Sequence, residues 1–232
     1  MHYFPLALPL LFILLFLMVF LIGLIEIGIL GYVYQRMGID RRYVFSVLLL
    51  SLLGSYINIP LFQLPPERLV SDQEVFFFGM RHMIPVVRGW PGTVVAVNVG
   101  GAVIPFILSV YLMRKNDLYG PALLGMAVVA FVAYQMAYPI PGLGIAVPVF
   151  VPPLLAAVVA LILSRKSAPA LAYITGTLGT LIGADVMNLG KIQGLGAPVA
   201  SIGGAGTFDG IFLTGILAVL LAGVLTKSSH PE

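Results

Sequence analysis

Residues 183–212, GADVMNLGKIQGLGAPVASIGGAGTFDGIF, carry two aspartates, Asp185 and Asp209, at the facing ends of two apolar segments joined by a glycine-rich connection. Apart from Glu26, the long apolar stretches of this chain exclude acids. An ionisable group in a lipid environment is costly, so two acids placed this way point to function before they point to structure.

Composition sets the frame. The 232 residues are 60% hydrophobic and 9% charged, and the mean hydropathy is +1.07, outside the range of a soluble domain. Apolar runs of roughly 20 residues match the thickness of a bilayer and select helices, because backbone polar groups in lipid must be satisfied internally. The expected fold is therefore all-α, a polytopic transmembrane helical bundle forming one integral membrane domain. Seven spans are expected at about 9–31, 43–62, 93–113, 119–138, 149–164, 168–188 and 205–226, with an outer loop at 63–92. The chain has no cysteine, which excludes disulfides, thiolate metal sites and cysteine nucleophiles. No metal or cofactor is expected. A nucleic-acid partner is not expected either, since no basic patch with interleaved aromatics is present.

The first run is uncharged at its start and too long for a cleaved leader, so it reads as a retained helix, with Glu26 near its basic end. The loop 63–92 contains strand-like Val75-Phe76-Phe77-Phe78, followed after a Trp90-Pro91-Gly92 turn signal by Thr93-Val94-Val95-Ala96-Val97. A hairpin or an interfacial helix fits it. The connection 139–153 is proline-rich yet uncharged, and it and 189–204 are candidates to re-enter the membrane.

Basic residues give an orientation. Arg36, Arg41, Arg42, Arg114, Lys115, Arg165, Lys166 and Lys227 fall on one side, and Arg68, Arg81, Arg88 and Lys191 on the other. The richer side is expected inside, which puts the amino terminus outside and the carboxyl terminus inside. An integral membrane location follows from this reading, with membrane lipid as the surrounding partner; oligomerisation is left open.

At 1.5 Å per helical residue, Asp185 and Asp209 each lie about 25 Å from the inner end of their spans. Asn58, Asn98 and Gln135 fall at a similar level, so one polar layer bordering an outward-accessible cavity is expected. Asn188, Lys191 and Gly206 join these three as candidate binding residues. Two carboxyls a few ångströms apart share a proton, so that one acts as a base and the other as a donor. The same pair would also serve to bind and release a proton or cation.

A first aspartate late in one helix, followed by Gly206-Thr207-Phe208-Asp209-Gly210-Ile211-Phe212 opening the next, resembles the GxGD intramembrane aspartyl proteases, the presenilins and signal peptide peptidases. The resemblance implies Asp185 and Asp209 as a catalytic dyad and a transmembrane peptide as substrate. The chain as a whole also resembles an uncharacterised prokaryotic family of multi-pass membrane proteins, a resemblance that implies the cytoplasmic membrane of a prokaryote as its location. A proton- or cation-coupled transporter or binding protein, and a non-catalytic scaffold, are the alternatives.

Overall fold

The computed structural model describes residues 16–20, 23, 37, 39–77, 80–140, 144–204 and 210–227. Most of the expected first span, with Glu26, and both Gly206 and Asp209 lie outside the described residues.

Six α-helices are described: α1 (Arg41–Gly54), α2 (Ile104–Lys115), α3 (Tyr119–Met136), α4 (Val151–Leu163), α5 (Ala168–Thr180) and α6 (Gly210–Lys227). Helix α5 continues without a break through a π-helical turn, Leu181–Asp185, into a 3₁₀ segment, Val186–Lys191. It is the axis of the molecule. All 13 of its residues are buried, and α2, α3, α4 and α6 pack around it. A helix that is apolar all round belongs at a centre, and its small residues let the surrounding helices approach closely.

The outer helices turn large apolar side chains away from this centre. Phe106 and Ile107 on α2, Leu123 and Phe131 on α3, Leu154 and Ile162 on α4 and Val224 on α6 are all exposed. Two helices, Tyr119–Met136 and the continuous Ala168–Lys191, are long and apolar enough to cross a membrane.

The expectation of an all-α bundle of seven spans is overturned. Seven strands form three sheets among the described residues. Strands β1 (Asn58–Gln63), β4 (Val94–Asn98) and β7 (Val199–Ile202) make a three-stranded sheet in the order β1-β4-β7. Strands β2 (Glu67–Phe77) and β3 (Met80–Trp90) form a long antiparallel hairpin, and β5 (Tyr138–Ile140) pairs with β6 (Gly144–Ala146). The segments expected to span at 43–62 and 93–113 are each part helix and part strand. Hydropathy cannot separate these cases, because a short apolar run such as Val94-Val95-Ala96-Val97 scores alike as buried strand or membrane helix. Proline was the better signal. Pro60 sits in edge strand β1, where the register against β4 shifts between Pro60 and Phe62, a position that spares the missing N–H.

Strands β4 and β7 are parallel, with Val97 opposite Ile202, and both end at one level. Beyond β4 the chain winds into a π-helical turn, Val99–Val103, that leads into α2; beyond β7 it makes a tight turn at Gly203 and Gly204, with φ of +89° and +88°. The two turns touch backbone to backbone. A Cβ added to Gly101 would collide with the carbonyl oxygen of Gly203, and one added to Gly203 would lie 2.6 Å from the amide nitrogen of Ala102. Replacing Gly in a helical turn by Ala ordinarily stabilises slightly. Gly101→Ala should instead destabilise by about 1–3 kcal/mol, the usual cost of overpacking, read as a lowered thermal midpoint in detergent micelles.

Candidate functional site

The level at which β4 and β7 end is where the polar side chains gather. Asn98, the last residue of β4, is fully buried and uses its whole amide. Its Nδ2 donates to the Ser55 carbonyl at 2.7 Å and to Asn58 Oδ1 at 3.1 Å, while its Oδ1 accepts from the Gly101 amide at 2.8 Å. The side chain thus caps the π-helical turn and clamps β4 to the end of α1. Asn58 lies directly opposite in the ladder, and its Oδ1 also accepts from Ser201 Oγ at 2.6 Å. One amide pair ties all three strands together.

Asp185 meets this sheet from the other side. Its Oδ2 accepts the backbone N–H of Gly203 at 2.7 Å. Gly203 presents that N–H because its positive φ reverses the chain just past β7, a conformation in which a side chain would be strained. The carboxylate stands on the last residue of the π-helical turn that extends α5. Such turns carry an extra residue and often mark functional positions, because the residues beyond them are rotated relative to the preceding helix.

Beside Asp185 opens a cavity of about 220 Å³. The turn after β6 (Val147–Val149) and Pro152 of α4 wall one side; Thr180, Ala184 and Asp185 line another, and Ile211 and Thr214 of α6 complete it. Asp185 is the one charged residue among these. Thr180 and Thr214 bring hydroxyls and are 4% and 2% exposed. Thr180 Oγ1 is buried without a hydrogen-bond partner, as are Ser109 Oγ, Thr177 Oγ1 and Asn188 Oδ1. A buried unsatisfied polar group costs about 1–3 kcal/mol, so such atoms call for an explanation such as a bound water or ion.

The residues expected in one layer divide into groups. Asn58 and Asn98 are brought together, and the chain of contacts Asn98–Gly101–Gly203–Asp185 links them to the acid. Gln135 is exposed near the end of α3. Asn188 is fully buried in the 3₁₀ segment, where Nδ2 donates to the carbonyls of Gly183 and Ala184 at 2.8 and 3.0 Å, so it braces the turn carrying Asp185. The ammonium of Lys191 lies 4.7 Å from the centre of the Tyr134 ring, a cation–π contact that pins the end of the 3₁₀ segment to α3. Sequence reasoning missed Thr180, Thr214, Ser201 and Gly203. Hydroxyl residues in apolar helices are too common to stand out singly, but the Gly203-Gly204 doublet closing a strand was a readable sign.

Residues 52–221, nearly three quarters of the chain, match a family described as Protein of unknown function (DUF1614). No curated protein and no solved structure matches the chain.

Removing the Asn98 amide should unfasten the sheet. Asn98→Ala leaves the buried Gly101 N–H and the Ser55 carbonyl unpaired and should cost about 2–3 kcal/mol. Asn58→Ala, at an exposed edge position, should cost less than about 1 kcal/mol. Thermal unfolding of the two variants side by side checks the difference.

Proposed function

The chain belongs to the DUF1614 family, whose description names no activity, and from that premise we propose that it is an integral membrane carrier coupled to a proton or small cation, which binds at Asp185. The observation that carries this reading is the cavity in which a carboxylate shares the lining with two buried hydroxyl residues. The membrane setting is supported by the apolar side chains that the outer helices expose, since a water-soluble protein rarely presents so large an apolar surface.

The donor set favours a hard cation. The side chains of the described lining offer oxygen alone, from one carboxylate and two threonine hydroxyls. Such sets suit protons and alkali or alkaline-earth ions and not soft metals. In secondary carriers, coupling ions are held where a helix is interrupted near mid-membrane, by its unwound carbonyls and C-terminal end. Around Asp185 the helix is not broken but changes type, from α through a π turn to a 3₁₀ segment, which makes its hydrogen bonding irregular beside the acid.

Size separates this from the second reading. Water occupies about 30 Å³ in the liquid, so the cavity has room for an ion with a few waters or a very small solute. Pockets for drug-sized ligands run to about 300–1,000 Å³, and an extended peptide would require at least as much. The alternative, an intramembrane aspartyl endopeptidase using Asp185 and Asp209, draws its support from a different fact: Ile211, two residues after Asp209 in the sequence, lines the same cavity.

Reconstitution distinguishes the two. Vesicles containing the protein and a pH-sensitive dye should report proton movement when a sodium or potassium gradient is imposed. Asp185→Asn should lower the initial rate by about tenfold or more, as expected when a charged ligand contact is lost. Absence of movement under every gradient, with cleavage of a transmembrane reporter peptide that both Asp185→Asn and Asp209→Asn abolish, would replace the carrier by the protease. Neither signal, with both variants fully functional in cells, would leave a scaffold.

A further inference from the structure

The cavity has a polar continuation. Tyr173, Thr177 and Thr180 recur at spacings of four and three along α5 and so share one helix face, which leads up to Ala184 beside Asp185. This face looks onto α6 at Gly215. A Cβ at Gly215 would lie 2.6 Å from Thr177 Oγ1 and 3.0 Å from Tyr173 Cε2. Thr214, the neighbour of Gly215, lines the cavity.

The two threonine hydroxyls on this face are held unusually. A threonine in an apolar helix normally donates to a carbonyl one turn back, as Thr226 does here to Ala222 at 2.9 Å. Thr177 and Thr180 do not, and their buried Oγ1 atoms have no partner. Thr177 lies on the seam where α6 contributes Gly215. From Tyr173 to Asp185 is twelve residues, about 18 Å of helix and more than half the thickness of a bilayer's hydrocarbon core.

Resting on the carrier reading, we propose that the seam between α5 and α6 is a water-containing proton file. It runs from the Asp185 cavity past Thr180, Thr177 and Tyr173, with Gly215 packed against Thr177. Each hydroxyl both donates and accepts, so it can take a proton from one neighbour and pass its own to the next, ending neutral. The proton that leaves the Asp185 carboxyl group is the net charge transferred, and no bond other than O–H is made or broken. Gly215 lets α6 come into contact with Thr177, where an added Cβ would lie 2.6 Å from the hydroxyl oxygen.

Two measurements test the file. In the dye-loaded vesicles, Thr177→Val keeps the side chain's shape and removes the hydroxyl, and should slow proton movement about tenfold. Thr177→Ser should retain at least half of the wild-type rate, and Gly215→Ala should match the slow variant. Wild-type rates in a Thr177→Val/Thr180→Val double variant would overturn the file. The second measurement does not depend on transport. Because the chain contains no cysteine, Thr177→Cys introduces a single thiol, with Thr180→Cys as the substitute should that protein not fold. A membrane-impermeant methanethiosulfonate should label it about ten times faster than Leu171→Cys, which sits fully buried in the apolar part of α5. Labelling no faster than Leu171→Cys overturns the file even where vesicles transport. Fast labelling without proton movement in the wild type keeps the water-filled seam and removes the carrier reading.

Discussion

The hydrogen bond from the Gly203 amide to the Asp185 carboxylate joins the two halves of the architecture. On one side stands α5, buried on every face, with Asp185 just beyond its end. On the other stands the sheet β1-β4-β7, whose parallel strands finish together and hand the chain over to two helical regions. At 2.7 Å, with an ionisable acceptor, this contact belongs to the stronger class of hydrogen bonds. Its geometry depends on a backbone reversal that only glycine makes without strain, and on the glycine–glycine contact that seats Gly101 beneath it. Asn98 holds that arrangement from the far side. The acid is thus positioned by main chain, and main chain cannot be displaced by rotation of a side chain.

Much of the helical part was legible in the sequence. The runs beginning at Tyr119 and Ala168 stand out by apolar length, and their observed starts coincide with the expected ones because charged or turn-forming residues precede both. What hydropathy could not reveal was the sheet. Its strands are short and apolar, and two of them, β1 and β4, directly adjoin helices, so each merged with its helix into one apolar run of membrane-spanning length. The β2–β3 hairpin was within reach, because the loop that contains it alternates charged with β-branched and aromatic residues. Val94 to Val97, expected beside it, instead pairs with distant segments at 58–63 and 199–202, a long-range choice that no local pattern encodes.

For the site, depth counting along an ideal helix put Asn58, Asn98 and Asp185 at one level; Asn58 and Asn98 are hydrogen-bonded, and Asp185 is linked to them by way of Gly203 and Gly101. That link runs through the ends of β4 and β7, which the counting did not include. Gln135 was counted to the same level but stands exposed, since equal height on a helix says nothing about which way a residue faces. The hydroxyls were invisible for another reason. Threonine is ordinary in an apolar helix, and only the packing shows that Thr177 and Thr180 leave their hydroxyls unpaired while Thr226 does not.

The carrier proposal rests on a carboxylate held by a backbone amide that lines a cavity of about 220 Å³ together with two buried threonines. The most direct test is the infrared difference spectrum of the purified protein between sodium-free and sodium-loaded states, recorded also across a change of pH. A carboxylate band that shifts with cation or proton loading, and is absent from Asp185→Asn, is the predicted result. Spectra that are the same for wild type and Asp185→Asn under every loading would contradict the account.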